Sequence, residues 1–217
     1  LIIVLGLLII PPIAILVQLS FSEIATDGRR LGYTFANYAS LFEDAEFFGI
    51  LWSTIIFAAF ATVISLLFGG VLAWLVERTN TPLKRLAYLT AIISLGTPFV
   101  LYVMAWLYLF GNTGPINQLY QAVTGSNGVL FNVYSLWGMI LIEGFLWSPL
   151  VFLLLSATFR MSNAEMEEAA RMNGASVWDT IRLVSLKLAR PAILALAMFV
   201  FIRNIESFEV PALVGIP

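Results

Sequence analysis

Three stretches of the chain, Leu1–Ser22, Phe47–Val76 and Leu86–Ile142, contain no charged side chain. A bilayer core is crossed by about 20 consecutive apolar residues in one helix. In hydrocarbon, moreover, only helices and closed barrels satisfy their own backbone polar groups. Runs this long predict a polytopic helical membrane protein. Composition points the same way: 60% of the residues are hydrophobic and 11% charged, where soluble domains carry about 25% charge. A net charge of −2 without any run of five like charges offers no basic field for nucleic acid. With no cysteine and no histidine, disulfide frameworks, zinc ribbons, iron–sulfur clusters and the commonest general base are all missing.

Apolar length and flanking breakers place helices near residues 1–20, 48–76, 86–110, 134–159 and 191–214. The first has the composition of a signal-peptide core, but its length and lack of a small-residue cleavage site mark a retained helix. The chain opens inside an apolar run and closes at Val214-Gly215-Ile216-Pro217, where another element is expected to continue, so it reads as a fragment. Of the basic residues, Arg78, Lys84 and Arg85 lie in the second connection and Arg160, Arg171, Arg182, Lys187 and Arg190 in the fourth; the first holds Arg29 and Arg30, the third none. Short cytoplasmic loops accumulate Lys and Arg. The N-terminus, residues 77–85 and residues 160–190 are therefore expected inside, with 21–47 and 111–133 outside. Trp52, Trp74, Tyr102, Tyr108, Tyr134 and Trp137 lie near expected helix ends and are assigned to the interfacial belt or to packing. Gly69-Gly70 and Ala58-Ala59 predict close helix approach, and Gly96-Thr97-Pro98 predicts a kink in the third span.

The fourth connection is the most informative. Ser162-Asn163-Ala164-Glu165 has the capping-box pattern and predicts a helix start. Gly174 is a natural stop, because glycine adopts the left-handed conformation without a Cβ penalty. Ser176 to Asp179 repeats the capping pattern, and Val177, Ile181, Val184 and Leu188 form an apolar stripe at helical spacing. A second amphipathic helix is expected to lie along the membrane until Pro191 starts the next span. Two short helices around a small-residue corner make a projection suited to a partner's groove, or a surface hairpin of no special purpose.

Glu168-Ala169-Ala170, three residues, then Gly174-Ala175-Ser176, followed by Trp178 and Arg190-Pro191, resembles the EAA loop of ATP-binding cassette (ABC) importer permeases. The resemblance implies an all-α polytopic bundle of the type I importer permease kind, with about five of its six helices present. It implies one transmembrane permease domain over 1–217 with a cytoplasmic coupling loop at 160–190. Glu168 and Gly174 would be the hallmark positions docking on the ATPase subunit, with Ala169, Ala170 and Ala175 as close-packing contacts. Two positions depart from the pattern: Asn173 stands where an aspartate is common, and Leu186-Lys187 replaces Leu-Pro. Tyr33-Thr34-Phe35-Ala36-Asn37-Tyr38, Trp52-Ser53-Thr54 and Glu77-Arg78-Thr79 are also similar to type I permeases. Glu206-Ser207-Phe208-Glu209-Val210-Pro211-Ala212-Leu213 with Gly215 is most similar to the N-terminal half of ferric-iron permeases. The implied partners are a nucleotide-binding subunit, an extracytoplasmic solute-binding protein, a second permease half and the lipid of a bacterial inner membrane. Neither a cofactor nor a nucleic acid is expected.

No phosphate-binding loop surrounds Lys84 or Lys187, so ATP would be hydrolysed by another chain. Polar residues inside spans are costly and default to function, which singles out Glu143, Arg203, Glu206 and Glu209 as possible translocation-path residues. Arg203 and Glu206 are spaced for an ion pair on one helical face that Glu209 continues; they either neutralise one another at a packing site or line a path for a hard cation. No metal-ligand set is assigned. Competing functions are an importer for thiamine, polyamine or phosphonate, a secondary transporter or channel without an ATPase, and an intramembrane enzyme. The last is disfavoured because the Gly125-Ser126 pair sits in a polar loop.

Overall fold

The computed structural model describes residues 2–24, 30–162 and 165–215. The chain falls into two compact units, Leu1–Ser53 and Thr54–Pro217.

In the first unit, α1 (Ile2–Ser20) is followed by an antiparallel hairpin of β1 (Ser22–Ile24) and β2 (Arg30–Tyr33) and by α2 (Ala36–Glu43). The hairpin pairs Ser22 with Tyr33 and Glu23 with Gly32. Expected only as a polar, aromatic connection, this segment is folded back on the end of α1. Asn37 Nδ2 donates to the Ser20 and Ser22 carbonyls at 3.1 Å each, and Phe21 packs against Phe35 and Tyr38. Arg29, half of the outer loop's positive charge, lies outside the described residues.

α3 (Ala45–Arg78) runs through both units. The second unit continues with α4 (Lys84–Gly96), α5 (Phe99–Phe110), α6 (Pro115–Thr124) and α7 (Leu136–Met161). Then come α8 (Glu165–Met172), α9 (Val177–Thr180), a π-helical turn at Ile181–Ser185, α10 (Leu186–Ile205) and α11 (Glu209–Val214). Ala45–Arg78, Phe99–Thr124, Leu136–Met161 and Val177–Ile205 are long and apolar enough to cross a membrane, and Gly6–Ser20 is a shorter apolar helix. The architecture is an all-α polytopic membrane fold.

Two expected spans are divided differently. The kink foreseen at Gly96-Thr97-Pro98 is a full interruption: Thr97 is extended (φ −80°, ψ 128°), the conformation that a following proline imposes. The span expected at 191–214 instead ends at Ile205 and restarts as α11. Pro211 accounts for this, since its ring would collide with the carbonyl four residues back, at Ser207, and it has no N–H to offer it.

α3 and α7 cross where side chains vanish. A Cβ on Gly69 would lie 2.6 Å from the Ser148 carbonyl oxygen, and one on Gly144 would lie 2.5 Å from Ile64 Cγ2. Around this crossing the core gathers Ala73, Val76, Val151, Phe152, Leu155, Leu196 and Val200. A second cluster, Val103, Val133, Ile142, Val210 and Val214, packs α5, α7 and α11 together. Of the six aromatics assigned to a belt or to packing, Trp52, Tyr108, Tyr134 and Trp137 are exposed, whereas Trp74 and Tyr102 pack against these two cores.

Candidate coupling surface and solute cleft

The connection after α7 folds as two helices around a sharp corner. Asn163 and Ala164 of the first expected capping box lie outside the described residues. Gly174 has φ +86°, and it closes α8 in a double-bonded stop: the Gly174 N–H donates to the Arg171 carbonyl at 3.0 Å and the Ala175 N–H to that of Ala170 at 3.1 Å. The second capping box is complete. The Asp179 N–H donates to Ser176 Oγ at 3.1 Å, and the Ser176 N–H donates to the Asp179 carboxylate at 3.2 Å.

The helix that follows does not stop at Pro191. Lys187, standing where the family pattern has proline, can donate its backbone N–H, and the chain continues as one helix into α10. The π-helical turn adds a residue, with the Leu186 N–H reaching the Ile181 carbonyl, and this rotates everything after it. The expected stripe of Val177, Ile181, Val184 and Leu188 is not the buried side: Thr180, Ser185 and Ala189 are buried, while Val177 and Leu188 are exposed.

Of the five residues assigned to coupling, Glu168, Ala169 and Gly174 are exposed and Ala170 and Ala175 half-buried. Beside them Met172 is 89% exposed and Trp178 67% exposed, so the corner presents apolar side chains next to an acidic one. Sequence reasoning passed over Glu167, which is buried. Its carboxylate pairs with Arg78 of α3, the Nε to Oε1 distance being 3.0 Å. One residue earlier, Glu77 accepts from Tyr88 and lies 3.3 Å from Arg160. These pairs bring the 77–85 and 160–190 connections, with their basic residues, to one end of this unit.

The four path candidates meet at a single cleft of about 120 Å³, lined by Glu143, Trp147, Arg203, Glu206, Ser207 and Glu209 with Phe99, Leu146 and Val210. Glu143 is 1% exposed. Trp147 Nε1 donates to its Oε1 at 3.0 Å and Ser207 Oγ to its Oε2 at 2.9 Å. Arg203 forms the expected ion pair with Glu206 at 2.7 Å and lies over the Trp147 ring, 5.6 Å from its centre. Glu209 does not continue that helical face, because the break after Ile205 intervenes; it returns to the cleft from α11. Ser207, which sequence reasoning did not select, sits in the break, and Pro211 was the available signal. Among the described residues no three acidic side chains converge closely enough to hold a metal ion. A larger groove of about 710 Å³, walled by α3, α4, α5 and α7, contains no charged side chain.

Residues 65–217 match the family described as binding-protein-dependent transport system inner membrane component. The chain is 28% identical over 187 residues to the inner membrane ABC transporter permease protein YcjO of Escherichia coli (strain K12), covering 80% of this chain and 60% of that protein. It is also 28% identical over 172 residues to the sulfate transport system permease protein CysW of the same organism, covering 79% of this chain and 57% of that one. The chain thus spans about 60% of the length of such relatives. A bacterial ABC transporter that imports the acidic polysaccharide alginate shares the fold at a TM-score of 0.79 and 16% identity, over 99% of this chain and 74% of that one. By the extent of the family match, the chain belongs to the binding-protein-dependent transport system inner membrane components.

Proposed function

We propose that the chain is a permease subunit of an ATP-driven importer, passing a solute inward while a separate nucleotide-binding subunit hydrolyses ATP. The observation that carries this is the α8–α9 corner, where Glu168, Met172, Gly174 and Trp178 form an exposed, mixed acidic and apolar projection of the shape a partner's groove accepts. The family's description supplies the second partner, a solute-binding protein. A second permease half completes the path.

In this reading the end carrying α8 and α9 is cytoplasmic, as the basic residues there favour, the N-terminus is also cytoplasmic, and the cleft around Glu143 serves the solute on the other side. Glu143 lies 17 residues before Arg160 on α7, which separates cleft and corner by about 25 Å. Ferric iron is the narrower proposal for the solute. It rests on the resemblance of residues 206–215, and Glu206 and Glu209 border the cleft with carboxylate oxygens of the kind a hard cation takes in passing. The similar proteins named above include a sulfate permease and an alginate importer, so a ligand screen on the cognate solute-binding protein should include ferric iron, sulfate and acidic oligosaccharides.

The docking role is tested by Glu168→Arg and Gly174→Val in the full transporter. Both variants should lose co-purification with the ATPase subunit, or hydrolyse ATP without transport, while thermal unfolding of the spans changes little. Wild-type assembly and transport in both would refute the reading.

A further inference from the structure

Adjacent glutamates on α8 face opposite ways: Glu168 is exposed and Glu167 buried. A single oxygen of Glu167, Oε1, accepts from Arg78 Nε on α3 at 3.0 Å and from Ser185 Oγ in the π-helical turn at 2.9 Å. The same guanidinium donates through Nη2 to the Ser162 carbonyl at 3.2 Å, at the end of α7. The Glu167 carboxylate thus ties the short helix of the corner to α3 and to the start of α10, and the Arg78 guanidinium extends the link to the end of α7. Ser185 closes the π-helical turn, whose wider winding shifts which residues face inward from there on, and its hydroxyl is buried. From Ser185 the chain runs without interruption along α10 to Arg203 and then Glu206 at the cleft. Arg78 and Glu167 are only 10% and 11% exposed as side chains, so water screens their attraction little.

We propose that Glu167 is a positioning residue for coupling. It clamps α8 to α3 and to the start of α10, so that displacement of the docking corner reaches the cleft end of α10 instead of being absorbed by bending at Gly174. This rests on the reading of the corner as the docking element. Glu168 meets the partner and Glu167 transmits.

The test uses the complete transporter in nanodiscs. Spin labels go on cysteines replacing Tyr108 and Phe208, both strongly exposed near the cleft end, in a sequence with no native cysteine. The readout is the shift in label distance between the nucleotide-free state and the state trapped with Mg-ATP and vanadate. Glu167→Ala should still co-purify with the ATPase subunit and hydrolyse ATP, yet its distance shift should shrink at least about threefold. Glu167→Gln, which keeps the accepting oxygen, should recover much of the shift. Ser185→Ala, a one-hydroxyl deletion that leaves the Arg78 pair intact, should reduce it about twofold and guards against a folding defect in the first variant. A wild-type shift in both Glu167→Ala and Ser185→Ala overturns the proposal. So does loss of the ATPase subunit from Glu167→Ala, which would make Glu167 part of the docking face. If Glu168→Arg and Gly174→Val both assemble and couple normally, the docking reading itself fails and this proposal falls with it.

Discussion

The Ser65 hydroxyl on α3 donates to the Gly144 carbonyl on α7 at 2.8 Å, a polar bond made inside two membrane-spanning helices. It is reached only because both backbones come close. Gly69 and Gly144 bracket the crossing, and a Cβ at either would need the opposing chain to move. Gly69→Val and Gly144→Leu should each destabilise the protein by about 1–3 kcal/mol through overpacking. Gly70→Ala, whose Cβ would meet only Leu155 Cδ1 at 3.4 Å, should be close to neutral. Thermal unfolding in detergent micelles checks all three; equal melting temperatures would contradict the close-packing account.

Asn204 offers a second polar link. It is buried, donates from Nδ2 to Thr62 Oγ1 at 3.1 Å, and among the described residues has no partner for Oδ1. Interhelical side-chain bonds within membranes are worth about 0.6 kcal/mol on average. Asn204→Ala and Thr62→Val should therefore each cost less than the glycine substitutions, by about 1 kcal/mol or less. A double-mutant cycle in the same melting assay should show non-additivity; additive losses would mean the bond contributes nothing.

At the cleft, Glu206→Gln with Glu209→Gln removes two of the three acidic charges around the single Arg203. Under the cation reading, uptake into proteoliposomes should fall by about tenfold or more, as for lost charge-assisted contacts, while ATP hydrolysis and its stimulation by the solute-binding protein persist. Uptake at the wild-type rate would remove the two glutamates from the path. Glu143→Gln retains one oxygen to accept from Trp147 and can donate its amide N–H to the Ser207 hydroxyl, so it should fold normally.

Sidedness has its own check. Ser176→Cys should react with a membrane-impermeant maleimide only in inside-out vesicles, and Thr124→Cys only in intact cells stripped of their outer membrane. Both positions are exposed, and the sequence has no competing cysteine. The opposite pattern would reverse the assignment of the basic end as cytoplasmic.

The helical membrane class was legible from charge-free length alone, because no other structure satisfies so much backbone in lipid. So were the stop at Gly174 and the box at Ser176–Asp179, since a positive φ and a reciprocal cap are local requirements that a few side chains settle. Pro98 and Pro211 also announced the two breaks in principle, though the second was passed over and Glu209 was assigned to the wrong helix. The hairpin at Ser22–Tyr33 left no such mark: only the return of Asn37 and Tyr38 to the end of α1 makes it visible.

Residue type and spacing thus determined which segments are apolar, where helices can begin and end, and which charges are out of place. Only the tertiary structure decided that Glu167 turns inward where Glu168 does not, that Ser185 of the π-helical turn lies on the buried side, and that Glu143, Arg203, Glu206 and Glu209 border one cleft. The reason is physical. Local conformation is governed by neighbours a few residues apart, whereas these placements depend on partners such as Arg78 and Glu167 that lie 89 positions apart in the chain and meet only after the helices have packed.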